Sequence, residues 1–154
     1  MLVLDISRTN TFYHTASQFV DQLSQLLNPG GSLSRLRKLD ISENLIGDAA
    51  GSELLQSLCK LNELEELRMS DDHLGDKFIL TFSLAAFSTR LRKLDLSKNQ
   101  FFDFEMLAIK LCSSHRSLAR VDLTQAIPRS GFQELRIPDH LLIIGAEGLI
   151  YSNP

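Results

Sequence analysis

A column of hydroxyl side chains is the first feature of this 154-residue sequence that could support chemistry. One hydroxyl takes the same place in each of five similar short phrases, at Ser7, Ser42, Ser70, Ser97 and Thr124. A catalytic hydroxyl needs a base such as histidine within hydrogen-bond reach. No histidine lies in any of these phrases, so we expect the hydroxyls to pack the edge of a sheet and not to act as nucleophiles.

Metal and phosphate chemistry find no support in the sequence either. None of the four histidines pairs with a cysteine or carboxylate at metal-ligand spacing; they are His14, His73, His115 and His140. The chain contains no glycine-rich phosphate loop, no Gly-x-Ser-x-Gly and no EF-hand pattern. We therefore expect no catalytic residue, no metal, no cofactor and no small-molecule substrate.

The composition is ordinary for a globular chain, with 44% hydrophobic and 23% charged residues. The formal net charge of −3 provides no basic surface of the kind that nucleic-acid binding needs. No apolar run approaches the ~20 residues of a membrane helix, and the first residues lack the features of a signal peptide. Two cysteines are too few for a disulfide scaffold, so we predict an intracellular protein, with the cytoplasm as the favoured compartment.

The elements that position these side chains are repeated along the chain. The phrase RLRKLDISEN (Arg35–Asn44) recurs with two changes as RLRKLDLSKN (Arg90–Asn99). Both fit the pattern L-x-x-L-x-L-x-x-N, and weaker copies begin near residues 1, 64 and 118, so that later copies stand 28, 27 and 27 residues apart. Because inward and outward residues alternate in a strand, the first, fourth and sixth positions of each copy predict a half-buried strand.

A helical pattern follows each strand pattern. After Asp48, apolar residues recur at helical spacing at Leu54, Leu55, Leu58 and Leu61. Aspartate stands at the same place in three copies, and a carboxylate there can accept hydrogen bonds from the first turn of a helix. We therefore predict that Asp48, Asp76 and Asp103 are helix N-caps.

This strand–turn–helix pattern resembles the leucine-rich repeat family, in particular its ribonuclease-inhibitor-like subclass. NLIGDAAG (Asn44–Gly51) is similar to the turn of that subclass, and LCKL (Leu58–Leu61) and LCSS (Leu111–Ser114) are similar to its helix ends. The resemblance covers roughly residues 1–126. It implies a right-handed α/β solenoid of about five repeats in one domain (1–154), with parallel strands on the concave side, helices on the convex side, and a C-terminal cap or tail over residues 127–154.

The resemblance also implies a structural role for the asparagine that closes each phrase. Asn44 and Asn99 are expected to bond backbone groups where the chain leaves the strand. Asp72 takes this position in the copy between them and can do only part of the task, because a carboxylate accepts hydrogen bonds but does not donate them. Ala126 can do none of it, and we predict that the regular repeats end there.

Two outward-facing positions of each strand carry the candidate partner-binding surface. We call its eight residues the charged face; they are Lys38, Asp40, Glu66, Arg68, Lys93, Asp95, Arg120 and Asp122. Signs alternate over three successive copies, which predicts the cross-strand ladders Lys38–Glu66–Lys93 and Asp40–Arg68–Asp95. Four positive and four negative groups largely cancel. Two interpretations stay open, namely a solvated face that pairs with itself and a polar surface for docking a protein.

The ends of the chain supply further candidate partner contacts. Met1–Ile6 predicts an edge strand with no polar cap before it, so either a partner covers it or the chain is a fragment. FQELRIP (Phe132–Pro138) predicts a degenerate strand, and the apolar, aperiodic segment Leu141–Pro154 either caps the repeats or docks on a partner. Candidate contacts are Met1, Leu2, Val3, Leu141, Leu142, Ile143 and Ile144.

Phe102 is the last candidate contact. It stands where other copies have Gly47 and Gly75. An exposed aromatic side chain often anchors an interface, and the alternative is burial beside Phe78 and Phe82.

We predict a non-catalytic protein–protein interaction module that serves as an adaptor or a structural subunit of a larger assembly. The protein partner is expected to cover the N-terminal edge strand. The resemblance also implies an alternative, a regulator of a small GTPase that uses an arginine on the rim, such as Arg8 or Arg68. A third possibility is a fragment of a larger leucine-rich-repeat sensor protein. A nucleic-acid role is disfavoured by the net charge, and no membrane insertion is expected.

Overall fold

The computed structural model describes residues 1–9, 15–85, 90–103, 106–107, 109–111, 116–127, 137–145, 148 and 150–151. Its strands are β1 (Leu2–Asp5), β2 (Leu36–Asp40), β3 (Glu66–Arg68), β4 (Lys93–Asp95), β5 (Arg120–Asp122), β6 (Leu142–Ile144) and β7 (Ile150–Tyr151). Its helices are α1 (Ala16–Leu26), α2 (Gly47–Leu58) and α3 (Asp76–Leu84), and residues 106–107 and 109–111 are also helical.

The strands form one sheet in sequence order, from β1 to β7. Neighbouring strands from β1 to β6 run parallel, and β7 returns antiparallel to β6. The register aligns the fourth position of successive phrases, with Leu39 opposite Leu67, Leu67 opposite Leu94 and Leu94 opposite Val121. An α/β fold with a parallel sheet is therefore confirmed.

One hydrophobic core lies between the sheet and the helices. The inward positions of β2 and its exit are buried, at Leu36, Leu39 and Ile41, and α2 contributes Leu54, Leu55 and Leu58. Each buried side chain of this size contributes about 1.5–3 kcal/mol relative to an exposed one. Helix α2 packs against both α1 and α3, so the core is continuous from one strand–helix unit to the next.

The predicted N-caps at Asp48 and Asp76 are wrong. Helix α2 begins at Gly47 and α3 at Asp76, and neither has a side-chain cap. Both carboxylates bond to the following unit, because the next turn presents free N–H groups there: Asp48 Oδ1 accepts from Gly75 N at 2.6 Å and Asp76 Oδ1 from Phe102 N at 3.1 Å. Asp103 behaves as predicted, since its Oδ1 accepts from Met106 N at 2.9 Å.

The segment from Leu141 onward, which the sequence left open as either a cap or a docking segment, contributes a further strand to the sheet. Leu142–Ile144 form β6, which pairs in parallel with β5. Ile143 points into the core and is fully buried, so a three-residue alternation is enough to extend the sheet beyond Ala126. The predicted strand at 132–138 lies mostly outside the described residues, and its last inward residue, Ile137, is buried but belongs to no strand.

Helices α2 and α3 approach closely at Gly51. A Cβ atom on Gly51 would lie 3.0 Å from Leu74 Cδ2 and 3.1 Å from Phe78 Cδ2. Gly51→Leu is therefore expected to lower the free energy of unfolding by about 1–3 kcal/mol, because the added side chain overpacks this contact. Urea denaturation measures the effect. Ala49→Leu, at an exposed position of α2, is the matched control and should change stability by less than about 0.5 kcal/mol. Equal unfolding midpoints for the two variants would contradict the prediction.

Among the described helices, none combines the length and the apolar character that crossing a bilayer requires.

Candidate partner-binding surface

The structure brings all eight residues of the charged face together on one side of the sheet. The register places Lys38, Glu66, Lys93 and Arg120 in one row across β2–β5. A second row contains Asp40, Arg68, Asp95 and Asp122. Neighbouring strands lie about 5 Å apart, so side chains within a row can contact each other directly.

The ion pairs of this face are concentrated on β2 and β3. Glu66 is nearly buried and binds two cations: its Oε2 lies 3.3 Å from Lys38 Nζ, and its Oε1 lies 2.7 Å from Arg68 Nη2. Arg68 Nη1 also lies 3.9 Å from Asp40 Oδ2. Burial opposes ionisation of Glu66, but the hydrogen bonds from Arg68 and Lys38 outweigh it and lower the pKa of Glu66. This half of the face neutralises itself.

The predicted ladders do not continue to β4. Among the residues that the structure describes, no carboxylate lies within 4.0 Å of Lys93 or Arg120. The two oxygens of Glu66 are already taken by Lys38 and Arg68, which is the physical reason why Lys93 finds no partner there. The next step across the sheet places like charges side by side, with Lys93 opposite Arg120 and Asp95 opposite Asp122.

The aspartates of the second row have a structural task that sequence reasoning missed. Each accepts, through Oδ1, the N–H of the residue two positions on: Asp5 from Ser7 at 3.0 Å, Asp40 from Ser42 at 3.0 Å, Asp95 from Ser97 at 2.9 Å and Asp122 from Thr124 at 3.0 Å. The residue after each hydroxyl has a positive φ, as at Glu43 (61°) and Lys98 (57°). The recurring D-x-S/T pattern was the available indication, because aspartate forms such turns with its own backbone.

The hydroxyl column is part of the same turns. Ser97 Oγ and Ser70 Oγ lie within hydrogen-bond distance of each other at 2.9 Å, and Ser42 Oγ accepts from Ser70 N at 3.0 Å. The bond from Ser70 N to Ser42 Oγ takes the place of a bond to an aspartate, because β3 carries Arg68 where β2, β4 and β5 carry aspartate. The hydroxyls therefore hold the strand exits together, in agreement with the packing role expected from the sequence.

Asparagine side chains connect neighbouring units below this surface. Asn44 Nδ2 donates to Ile6 O at 3.0 Å and to Ile41 O at 2.6 Å. Asn99 Nδ2 donates to Met69 O at 2.7 Å and Leu96 O at 3.0 Å. Each side chain thus bonds carbonyl groups of its own unit and a carbonyl of the preceding unit.

Asp72 occupies the same position between the two asparagines. Its side chain is fully buried and its Oδ1 accepts from Asn44 N at 2.7 Å, whereas its Oδ2 has no hydrogen-bond partner among the described residues. Burial, aided by the charges of Asp71 and Asp40, raises the pKa of Asp72 to about 7 against the hydrogen bond from Asn44 N. As expected, the carboxylate of Asp72 accepts a hydrogen bond at this position, as an asparagine oxygen would.

The candidate contacts at the two ends have different surroundings. Met1, Leu2 and Val3 are 80%, 37% and 51% exposed at the edge strand, whereas Leu36 of the next copy is fully buried. Leu141 and Ile143 are also buried, so the proposal that they contact a partner is wrong, because both fill the last layer of the core. Leu142 and Ile144 are half-buried and lie opposite Arg120 and Asp122.

Phe102 is exposed, so the alternative of burial beside Phe78 and Phe82 is wrong. Its side chain is 77% exposed, whereas Phe78 and Phe82 are buried and pack against each other with ring centroids 6.1 Å apart. The backbone N–H of Phe102 donates to Asp76 Oδ1, which ties this turn to the first residue of α3. Phe102 borders an open cleft of about 600 Å³ together with His73 and Lys98.

No protein-family model and no curated protein sequence matches this chain.

Proposed function

We propose that the chain is a leucine-rich repeat protein of the ribonuclease-inhibitor-like subclass, folded as a right-handed α/β solenoid of about five repeats. The constant register of the leucine positions at 28- and 27-residue spacing supports this proposal. The asparagine bonds between units support it as well. Asn44 Nδ2 donates to Ile6 O and Asn99 Nδ2 donates to Met69 O, and each acceptor is a carbonyl of the preceding unit.

The function that these features favour is non-catalytic protein binding, as an adaptor or a structural subunit of a larger assembly. The observation that carries it is the exposed apolar edge at β1, where Met1, Leu2 and Val3 are exposed although Leu36, the partner of Leu2 on β2, is buried. Among the strands that the structure describes, β1 lies at the end of the sheet and pairs with β2, so the outer side of its backbone can accept another strand. A protein partner that covers this edge would bury apolar side chains and complete the hydrogen bonding of the sheet.

The alternative, activation of a small GTPase, needs an arginine that can reach the partner. Both arginines considered for it are already bound. Arg8 forms a two-pronged pair with Glu43, with Nε 2.7 Å from Oε2 and Nη2 2.8 Å from Oε1. Arg68 is held by Glu66 and Asp40. We therefore favour protein binding without an effect on nucleotide hydrolysis.

Leu2→Lys combined with Val3→Lys is expected to weaken partner binding by at least about tenfold. Two apolar contacts are lost, and an edge strand that carries lysine resists pairing with another strand. The measurement is purification of the tagged chain from cells, quantification of bound proteins by mass spectrometry, and affinity measurement with the purified partner.

The matched control is Leu80→Lys combined with Leu84→Lys, which adds the same charges at two exposed leucines of α3. It should leave binding unchanged. A partner that stays bound to the edge variant and dissociates from the α3 variant would place the interface on the helices. A clean monomer that captures no protein above background would contradict the proposed function itself.

A further inference from the structure

Lys93 and Arg120 form a pair of neighbouring cations, and no carboxylate in the described part of the chain lies within 4.0 Å of either. They lie directly opposite each other on β4 and β5, and both side chains are exposed. Glu66, the neighbour of Lys93 on the other side, is occupied by Lys38 and Arg68. Two like charges about 5 Å apart repel each other, and an anion placed between them would remove this repulsion.

The adjacent carboxylates do not fulfil this role. Asp95 Oδ1 accepts from Ser97 N and Oγ at 2.9 and 2.7 Å, and Asp122 Oδ1 accepts from Thr124 N and Oγ1 at 3.0 and 2.7 Å. Both side chains are therefore held in the turns that follow β4 and β5. Asp95 stands two residues after Lys93, and Asp122 stands two residues after Arg120. Within the part of the chain that the structure describes, Lys93 and Arg120 therefore gain no ion pair from these aspartates. A cavity of about 270 Å³ opens over this part of the sheet, and its lining holds Lys93 and Arg120 together with Glu66, Arg68, Leu94, Asp95 and Asp122.

The next strand supplies apolar side chains in the same two rows. Leu142 lies opposite Arg120 and Ile144 lies opposite Asp122, and both are half-buried. An apolar neighbour excludes water from one side of the cationic pair, which strengthens an ion pair formed there. It also favours a ligand that carries both a carboxylate and an apolar group over a free inorganic anion.

We propose that the surface formed by β4, β5 and β6 binds an acidic and apolar segment of a partner protein. A glutamate or aspartate of the partner lies between Lys93 and Arg120, and a neighbouring apolar side chain packs on Leu142 and Ile144. This inference rests on the proposed function, because it names the chemistry of the partner and a second contact surface away from β1.

The test uses the full chain labelled with ¹⁵N and a short peptide of alternating leucine and glutamate as the probe. We expect the peptide to shift amide resonances on β4, β5 and β6. Lys93→Gln combined with Arg120→Gln is expected to raise the dissociation constant by about tenfold or more. Lys77→Gln, which removes an exposed positive charge from α3, controls for net charge and should leave the constant within about twofold.

Two further probes separate the contributions of charge and apolar contact. A peptide with glutamine in place of glutamate should bind at least about tenfold more weakly, since it cannot pair with the cations. Equal binding of the glutamine peptide would refute the role of the cationic pair. Inorganic phosphate that shifts the same resonances as strongly as the peptide would show an anion site without a role for the apolar strand, and would overturn the proposal.

The absence of shifts at millimolar peptide, or equal weakening by Lys77→Gln, would also overturn it. Failure of this inference can be distinguished from failure of the proposed function. If a cellular partner binds the Lys93/Arg120 variant normally and is lost only from the Leu2/Val3 variant, the surface on β4–β6 is not used while protein binding stands.

Discussion

Asp72→Asn is expected to stabilise the protein, with the largest gain above neutral pH. The buried Oδ2 of Asp72 has no hydrogen-bond partner in the described part of the chain, while the equivalent amides of Asn44 and Asn99 donate to carbonyl groups of two units. An amide nitrogen at residue 72 would donate to the carbonyls of the preceding strand exit, as its neighbours do. The variant therefore gains hydrogen bonds and removes a buried negative charge.

The pH dependence of this gain follows from the raised pKa. Asp72 titrates near 3.8 in the unfolded chain and at about 7 in the folded one. The folded state binds the proton more tightly, so the contribution of Asp72 to stability is fully present below about pH 4 and is lost as the pH rises to about 7. At about 1.4 kcal/mol for each pH unit, the loss approaches about 4 kcal/mol. The difference between variant and wild type should be small near pH 4 and reach roughly 2–4 kcal/mol near pH 8.

Urea denaturation of both proteins at several pH values measures this difference. The titration of all other groups cancels when the variant is compared with the wild type at the same pH. Asp21→Asn is the control, because Asp21 is exposed on α1 and its charge is not among those that shift the pKa of Asp72. A gain that is the same near pH 4 and pH 8 would show that Asp72 is ionised throughout this range. A loss of stability would show that the carboxylate is required.

Asn99→Ala is expected to have the largest destabilising effect. Asn99 Oδ1 accepts from the backbone N–H groups of Asp72 and Leu74, both at 3.0 Å, and its Nδ2 donates to Met69 O and Leu96 O. Alanine leaves these buried groups without partners, and each such group costs about 1–3 kcal/mol. Partial relaxation of the turn limits the total, so we expect a loss of about 3–5 kcal/mol in the free energy of unfolding.

Thermal and urea denaturation of the variant test this expectation. Gln100→Ala is the control, because Gln100 is the exposed next residue and its side chain makes none of these bonds. It should change stability by less than about 0.5 kcal/mol. If Asn99→Ala unfolds at the same urea concentration as the control, the side chain is dispensable and the turn is held by its backbone bonds alone.

The alternation of leucines was sufficient to predict the sheet and its register. A one-residue shift would turn Leu39, Leu67 and Leu94 to the solvent side, so the apolar pattern specifies one alignment. Strand β6 could not be predicted in this way. Ile143 follows Val121 by 22 residues, outside the regular spacing, and tertiary pairing with β5 and β7 selects it as a strand.

The candidate surface was predicted in position but not in its interactions. The repeat predicted which residues lie opposite each other on neighbouring strands, and the register places all eight residues of the charged face in these positions. Which charges pair depends on competition for the two oxygens of Glu66, and distances of a few ångströms decide it. The bond from Gly75 N to Asp48 could not be predicted either. An aspartate at this position is suited both to capping its own helix and to accepting a bond from the next turn, so the residue type does not distinguish the two roles.

The asparagine contacts have a consequence for the cooperativity of unfolding. Asn44 and Asn99 bond carbonyl groups on both sides of a boundary between units, so neither unit can open without breaking bonds of its neighbour. In a linear array, such nearest-neighbour terms determine how far local opening spreads. Asp72 weakens this coupling at the boundary between β2 and β3 once it is ionised. The coupling between the β2 unit and the β3 unit therefore depends on the protonation of Asp72. Above neutral pH, the parts of the chain on either side of this boundary can unfold more independently of each other.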